Sequence, residues 1–216
     1  MISEIPLYVY FIGLSSIIGF LFYHRNKDVQ FLKFFPSFLL ISFVVETTAI
    51  YLWYTGRDTA SLYNFFSLFE FGFYFYVFFH LLKNKTAKKI IVIGSLIFLP
   101  ACLINIFFIQ GIFKLHTVTY SIGCLLIIGL SIYYFLELFS LPKFVVLTRQ
   151  PAFWIVSGLL FFYCCSFPYF AFLRFLEGSA PFIIDNFDKI INILNVLLYS
   201  LFSIAFLCRI KVKTST

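Results

Sequence analysis

Charged residues are scarce in this sequence. They occupy 12% of its 216 positions, against about a quarter in a soluble domain. Apolar residues fill 62%, more than a water-soluble fold of this size could hide, so the solvent around the folded chain is expected to be lipid. Long polar stretches are missing too: the connections between apolar runs reach about a dozen residues at most. That leaves no room for a soluble domain, and residues 1–216 read as a single membrane domain. Any output must pass through the bundle, its short loops or a partner.

Metal-ligand patterns are also lacking. Cys102, Cys124, Cys164, Cys165 and Cys208 all fall inside apolar runs, none in a CxxC pair, and the three histidines are scattered. A metal site needs convergent ligands at set spacings, so no metal and no cofactor is expected, and the cysteines read as small packing residues. The start of the chain has no basic region of the kind that opens a signal peptide, and the first apolar run is expected to be retained as a helix. The net charge of +7 comes from short basic clusters at the ends of apolar runs. That is a pattern of topology signals and anionic-lipid contact, not of nucleic-acid binding.

What is present is a set of long apolar runs. A helix crossing about 30 Å of hydrocarbon needs roughly 20 apolar residues. Seven runs qualify: 5–23, 34–54, 62–82, 90–110, 117–140, 153–173 and 188–208. They are continuous rather than alternating, which excludes membrane-spanning strands and gives an all-α, seven-helix bundle. Lys and Arg divide 12 to 4 between the two sides. Positive residues stay cytoplasmic during insertion, so the N-terminus is expected outside and the C-terminus inside, in a cell's inner (plasma) membrane. Aromatics reach 23%, with 34 Phe. Phe suits a lipid-facing surface, and Tyr and Trp suit its borders, as Trp53, Tyr54 and Trp154 would at helix ends.

Helix 1 resembles helix 5. Residues 10–23 (YFIGLSSIIGFLFY) and 120–133 (YSIGCLLIIGLSIY) share seven of 14 positions. Pro36 and Ser42 match Pro151 and Ser157, and Asn64 and Asn195 fall at like positions in helices 3 and 7. These matches suggest two parallel three-helix repeats joined by helix 4, a plan used by some transporters.

Ionisable groups inside membrane helices are costly and are functional candidates by default. Glu46 in helix 2 and Glu70 in helix 3 each lie about eight residues from the same end of the bundle, roughly 12 Å deep at 1.5 Å per residue. Asn64, Ser67, Glu70 and Tyr74 step along one face of helix 3, and Asp188, Asn192, Asn195 and Tyr199 along one face of helix 7. Asn105 sits at similar depth in helix 4. Together these residues imply a polar cavity in the outer half that takes a small molecule from outside. Close carboxylates repel, so one would keep its proton, and the pair could carry protons or bind a cation or an amine. The alternative is that both are protonated packing residues bonded across helices. Glu137 is expected to reach toward Lys143, and Arg174 and Glu177 to form a local ion pair.

Two segments carry a resemblance: Tyr63-Asn64-Phe65-Phe66-Ser67-Leu68-Phe69-Glu70-Phe71, and Pro151-x-Phe153-Trp154-Ile155-x-x-Gly158-Leu159-Leu160. They resemble a group of uncharacterised bacterial seven-helix membrane proteins, some associated with sensor histidine kinases, which implies a sensory role and a signalling protein partner. The 3+1+3 plan is similar to that of SWEET- and PnuC-type carriers, although no Pro-Gln motif occurs in helix 1 or helix 5. Catalytic patterns are missing: no His-x-x-x-His pair, no His-Glu-x-x-His, and no Lys midway along helix 7. The chain therefore reads as a non-enzymatic, membrane-embedded sensing module for a small ligand. The alternative reading is a small-solute or proton-coupled transporter.

Overall fold

The computed structural model describes residues 5–23, 29–140, 146–176 and 181–208. Glu4, His24, Lys143 and Glu177 lie outside them, as do the side chains of Arg174, Asp185 and Asp188. The expected Arg174–Glu177 pair therefore falls outside the described residues.

The described chain is all-α. Its helices are α1 (Leu7–Leu21), α2 (Phe35–Tyr54, led in by one turn at Gln30–Lys33), α3 (Ala60–Leu81), α4 (Lys85–Ile104), α5 (Thr117–Phe139), α6 (Pro151–Leu176) and α7 (Pro181–Leu207). Six of these paths are long and apolar enough to cross a membrane, and α1 is a shorter apolar helix. At 15 residues, α1 rises only about 22 Å, and it ends earlier than its apolar run suggests. In contrast, α4 begins five residues before its apolar run. The Asn84 side chain caps it by accepting from the backbone N–H of Thr86 and Ala87, which satisfies donors that would otherwise be unpaired at a helix start.

Six helices close a ring in chain order, α1–α2–α3–α5–α6–α7, with α7 returning against α1 and α4 outside against α3 and α5. The near end of the bundle gathers the starts of α1, α3, α5 and α7; the far end gathers their finishes. Small residues set the close contacts. A Cβ on Gly19 would meet Pro36 at 3.0 Å and Phe206 at 3.1 Å, and one on Gly158 would meet Leu198 at 3.2 Å. Lipid supplies no hydrophobic drive between helices, so close van der Waals approach has to hold them.

Helix α3 is held differently, by rings. Phe71 packs edge-on against Phe98 of α4 and Tyr120 of α5, at centroid distances of 5.5 and 5.3 Å. Phe73 stacks on Phe38 of α2 at 4.1 Å, and Phe35 meets Phe202 of α7 at 4.9 Å. Edge-to-face and offset ring pairs add to burial. Phenylalanine thus serves both surfaces: Phe20, Phe65, Phe108 and Phe161 are exposed on the outside of the bundle, whereas Phe35, Phe38, Phe71, Phe78, Phe202 and Phe206 form an interior plug.

The likeness between helices 1 and 5 does not extend to their packing. In α1, Ile12, Ser15, Ser16 and Gly19 are buried, while Leu7, Tyr10, Leu14 and Ile17 are exposed. The matched positions in α5 are reversed. Ile122 is 46% and Leu125 51% exposed, whereas Cys124 and Ile127 are fully buried. The two helices turn opposite faces of similar sequences into the bundle. The expected reach of Glu137 toward Lys143 falls outside the described residues. The Glu137 carboxylate accepts the backbone N–H groups of Lys83 and Asn84 (2.9 and 3.1 Å), pinning the α3–α4 turn to the end of α5.

Candidate functional site

A cavity of about 240 Å³ opens at the near end between α1, α2, α3, α5, α6 and α7. Both Glu46 and Glu70 line it. The arrangement follows from helix geometry. Tyr63, Phe66, Ser67, Glu70 and Tyr74 recur at steps of three and four along α3 and so share a face, and α3 lies beside α2 and α5. From α7, Asn192, Asn195 and Tyr199 join by the same spacing, and from α5 and α6 come Tyr120, Phe162 and Phe170.

Two tyrosines hold Glu46. The Tyr8 hydroxyl from α1 and the Tyr63 hydroxyl from α3 both donate to its Oε2, at 2.9 and 3.0 Å. Glu70 accepts from the Tyr74 hydroxyl at a looser 3.3 Å. Each carboxylate therefore keeps further acceptor capacity, since an ionised carboxyl offers about four lone-pair positions. The amides of Asn192 and Asn195 and the hydroxyls of Tyr120 and Tyr199 make no hydrogen bond among the described residues. They face the cavity with donors and acceptors unpaired, and Asn192 stands exposed at its rim.

Asn64 and Ser67 belong to the same wall, but their polar atoms serve the α4–α5 connection. The Asn64 amide donates to the carbonyls of Ile112 and Lys114 (2.9 and 2.8 Å), and its Oδ1 accepts the backbone N–H of His116 at 3.1 Å. The Ser67 hydroxyl donates to the Asn64 carbonyl at 2.9 Å and also pairs with Nε2 of His116. His116 Nδ1 pairs with the Thr119 hydroxyl at 2.7 Å, and that hydroxyl also donates to the His116 carbonyl at 3.3 Å, so both ring nitrogens are engaged. Burial pushes this imidazole down to about 4.

Asn105 does not reach the cavity wall. It lies at the base of this brace, where it donates to Gln110 Oε1 (2.6 Å) and Thr119 Oγ1 (2.9 Å). The reason is local. Helix α4 widens into a π-turn at Asn105–Ile109, closed by the Gln110 N–H on the Asn105 carbonyl at 2.8 Å. This turn brings side chains five residues apart together and directs Asn105 toward α5, away from the cavity. Such turns recur at functional sites; here it anchors the loop that roofs part of the cavity through Leu115, His116 and Thr117.

Of the residues singled out by sequence, Glu46, Glu70, Asn192 and Asn195 present polar groups to the cavity, Asn64 and Ser67 line it with theirs turned into the loop, and Asn105 sits apart. Sequence reasoning did not find Tyr8, Tyr63, Tyr120, His116 or Gln110 as parts of the site. Tyr63 stood one position from a chosen residue and three from the next face position, so helical stepping could have found it. Tyr8 and His116 carried no signal, because their roles depend on which helices become neighbours. The chain matches no protein-family model, no curated protein and no solved structure.

Proposed function

We propose that this protein is a membrane-embedded binding module that takes a small ligand through the near end, on the outer side of the membrane, and passes its occupancy to a signalling partner. The observation carrying this reading is the contrast within the cavity wall between groups locked in hydrogen bonds and groups left unpaired. An unpaired polar group away from water costs about 1–3 kcal/mol, so clustered unpaired amides and hydroxyls around a space of 240 Å³ argue for water or ligand there. Pockets for small molecules combine an apolar lining with a few convergent polar groups, and this wall has that make-up. The distribution of Lys and Arg supports the near end facing outward. The resemblance of the Tyr63–Phe71 segment to kinase-associated seven-helix proteins supports the signalling half of the proposal.

Transport is the second reading, favoured by the carboxylates alone. A carrier must expose its site to each side in turn, and the path to the far end is filled by the buried rings of Phe35, Phe38, Phe73 and Phe202. Proteoliposomes decide between the two. The sensing reading expects no proton-coupled solute uptake above that of empty vesicles. Uptake that disappears in Glu46→Gln would overturn it. A reporter fused to the C-terminus should be protected from external protease in intact cells, and cleavage there would overturn the orientation.

A further inference from the structure

We infer that the ligand of this cavity is a small organic ammonium ion, seated between Glu46 and Glu70 and enclosed by aromatic faces. The inference rests on the binding reading above and narrows it to a chemical class.

Charge comes first. Among the described residues, two carboxyl groups line the cavity and no Lys or Arg does. His116, the basic side chain among the described lining residues, has both ring nitrogens engaged within the protein, so it offers an anion nothing. An anionic ligand would meet two acids with no counter-charge, in a space where charges are poorly screened. A cation would meet acceptors already oriented by Tyr8, Tyr63 and Tyr74.

The lining separates an organic cation from a metal ion. Hard cations such as calcium take six to eight oxygen ligands at about 2.3–2.6 Å. Here, among the described residues, no three His, Cys, Asp or Glu side chains come together, and the two carboxylates stand among Phe66, Phe162, Phe170 and the ring of Tyr120, which leaves a hard cation short of charged ligands. Aromatic faces do attract ammonium groups, through the negative face of the ring, and cages of this kind recognise quaternary ammonium. Tyr120 and Phe170 already pack together, with centroids 4.3 Å apart, and form one continuous aromatic wall. The amides of Asn192 and Asn195 on α7, which make no hydrogen bond among the described residues, suit a hydroxyl or carbonyl elsewhere on the ligand.

A free ammonium solute and the ammonium headgroup of a lipid share this chemistry, and the test distinguishes them. The full chain is placed in nanodiscs of phosphatidylglycerol, which carries no ammonium group. Equilibrium dialysis measures labelled choline, in competition with ethanolammonium, with the uncharged isostere 3,3-dimethylbutan-1-ol and with the anion 3,3-dimethylbutanoate. Expected is choline binding that ethanolammonium displaces and the neutral and anionic analogues do not, even at tenfold excess. Glu46→Gln and Glu70→Gln should each weaken it at least tenfold. Gln can still accept the tyrosine hydroxyls, and an unchanged melting temperature would confirm that the variants fold. Phe170→Leu, which keeps the bulk but loses the ring, should weaken choline about threefold. Phosphatidylethanolamine added to the discs would displace choline if the natural source is lipid and leave it bound if the source is a solute; either result supports the ammonium class. Equal displacement by the uncharged isostere, with no loss in the Gln variants, would overturn the ammonium assignment and leave a ligand cavity standing. Absence of binding by every probe in the folded protein would overturn both.

Discussion

The polar groups around His116 and those around Glu46 lie at the same end of the bundle, and Asn64 and Ser67 touch both sets. Around His116 the described hydrogen bonds form a chain, from Asn105 through Thr119, His116 and Ser67 to Asn64, and on to the loop carbonyls. Around Glu46 and Glu70 the chain stops at the tyrosines, and Asn192, Asn195, Tyr120 and Tyr199 point unpaired groups into open space. In low dielectric a fully paired network stabilises and a partly paired one costs. The first set is therefore the architecture of the near end. The second is the set on which the proposed ligand site rests.

The sharpest way to break this comparison is Asn64→Ala. It strips partners from two carbonyls and one N–H, each worth about 1–3 kcal/mol when left unpaired, so a loss of about 4 kcal/mol is expected in detergent unfolding. A loss no larger than that of Asn195→Ala would put both residues in one class. Next in size is a pH effect. Unfolded, the His116 imidazole titrates near its ordinary 6.5, whereas burial holds the folded one near 4. Between those values the unfolded chain binds the extra proton. The contribution of His116 is thus full above about 6.5 and fades as pH falls toward 4, by roughly 3 kcal/mol. Melting curves across this range should show a slope that His116→Gln reduces; an unaltered slope would assign it to other groups.

A third test addresses α5. A Cβ at Gly123 would clash with the ring of Phe71, whereas nothing stands within 4 Å of one at Gly129. Gly123→Ala should cost about 2 kcal/mol through overpacking, and Gly129→Ala should change stability by only a few tenths. Equal effects would mean that α5 does not turn its Gly123 face inward. Smallest of all, Asn195→Ala should shift stability by less than about 1 kcal/mol while weakening choline in the dialysis assay. A large loss of stability there would place Asn195 among the structural residues.

Composition and run length made much of the fold legible. The six long apolar paths and the shorter α1 fall where the apolar runs predict, within a few residues except at the starts of α4 and α7. The starts of those two helices were missed because charged residues at a helix end interrupt an apolar run without interrupting the helix. Within the site, helical spacing correctly grouped Asn64, Ser67, Glu70 and Tyr74 on one face. It could not tell a side chain facing the cavity from one bonded to a loop 50 residues away in sequence, which is why Asn64 and Ser67 looked like ligand groups. The match between helices 1 and 5 likewise did not extend to the face each buries, since identity at aligned positions says nothing about which face a neighbour will cover.

By itself the sequence determined that the chain lives in lipid, because nothing else could solvate so many apolar side chains, and that its few buried carboxyls would need company. The tertiary structure alone decided which company they have. Tyr8 from α1 and Tyr63 from α3 meet on one oxygen of Glu46, and a π-turn draws Asn105 out of the cavity and into the loop. The physical reason is that hydrogen bonds act over about 3 Å, whereas a helix pattern specifies only a face. Which groups come within that reach is fixed by how the rings and glycines of neighbouring helices pack.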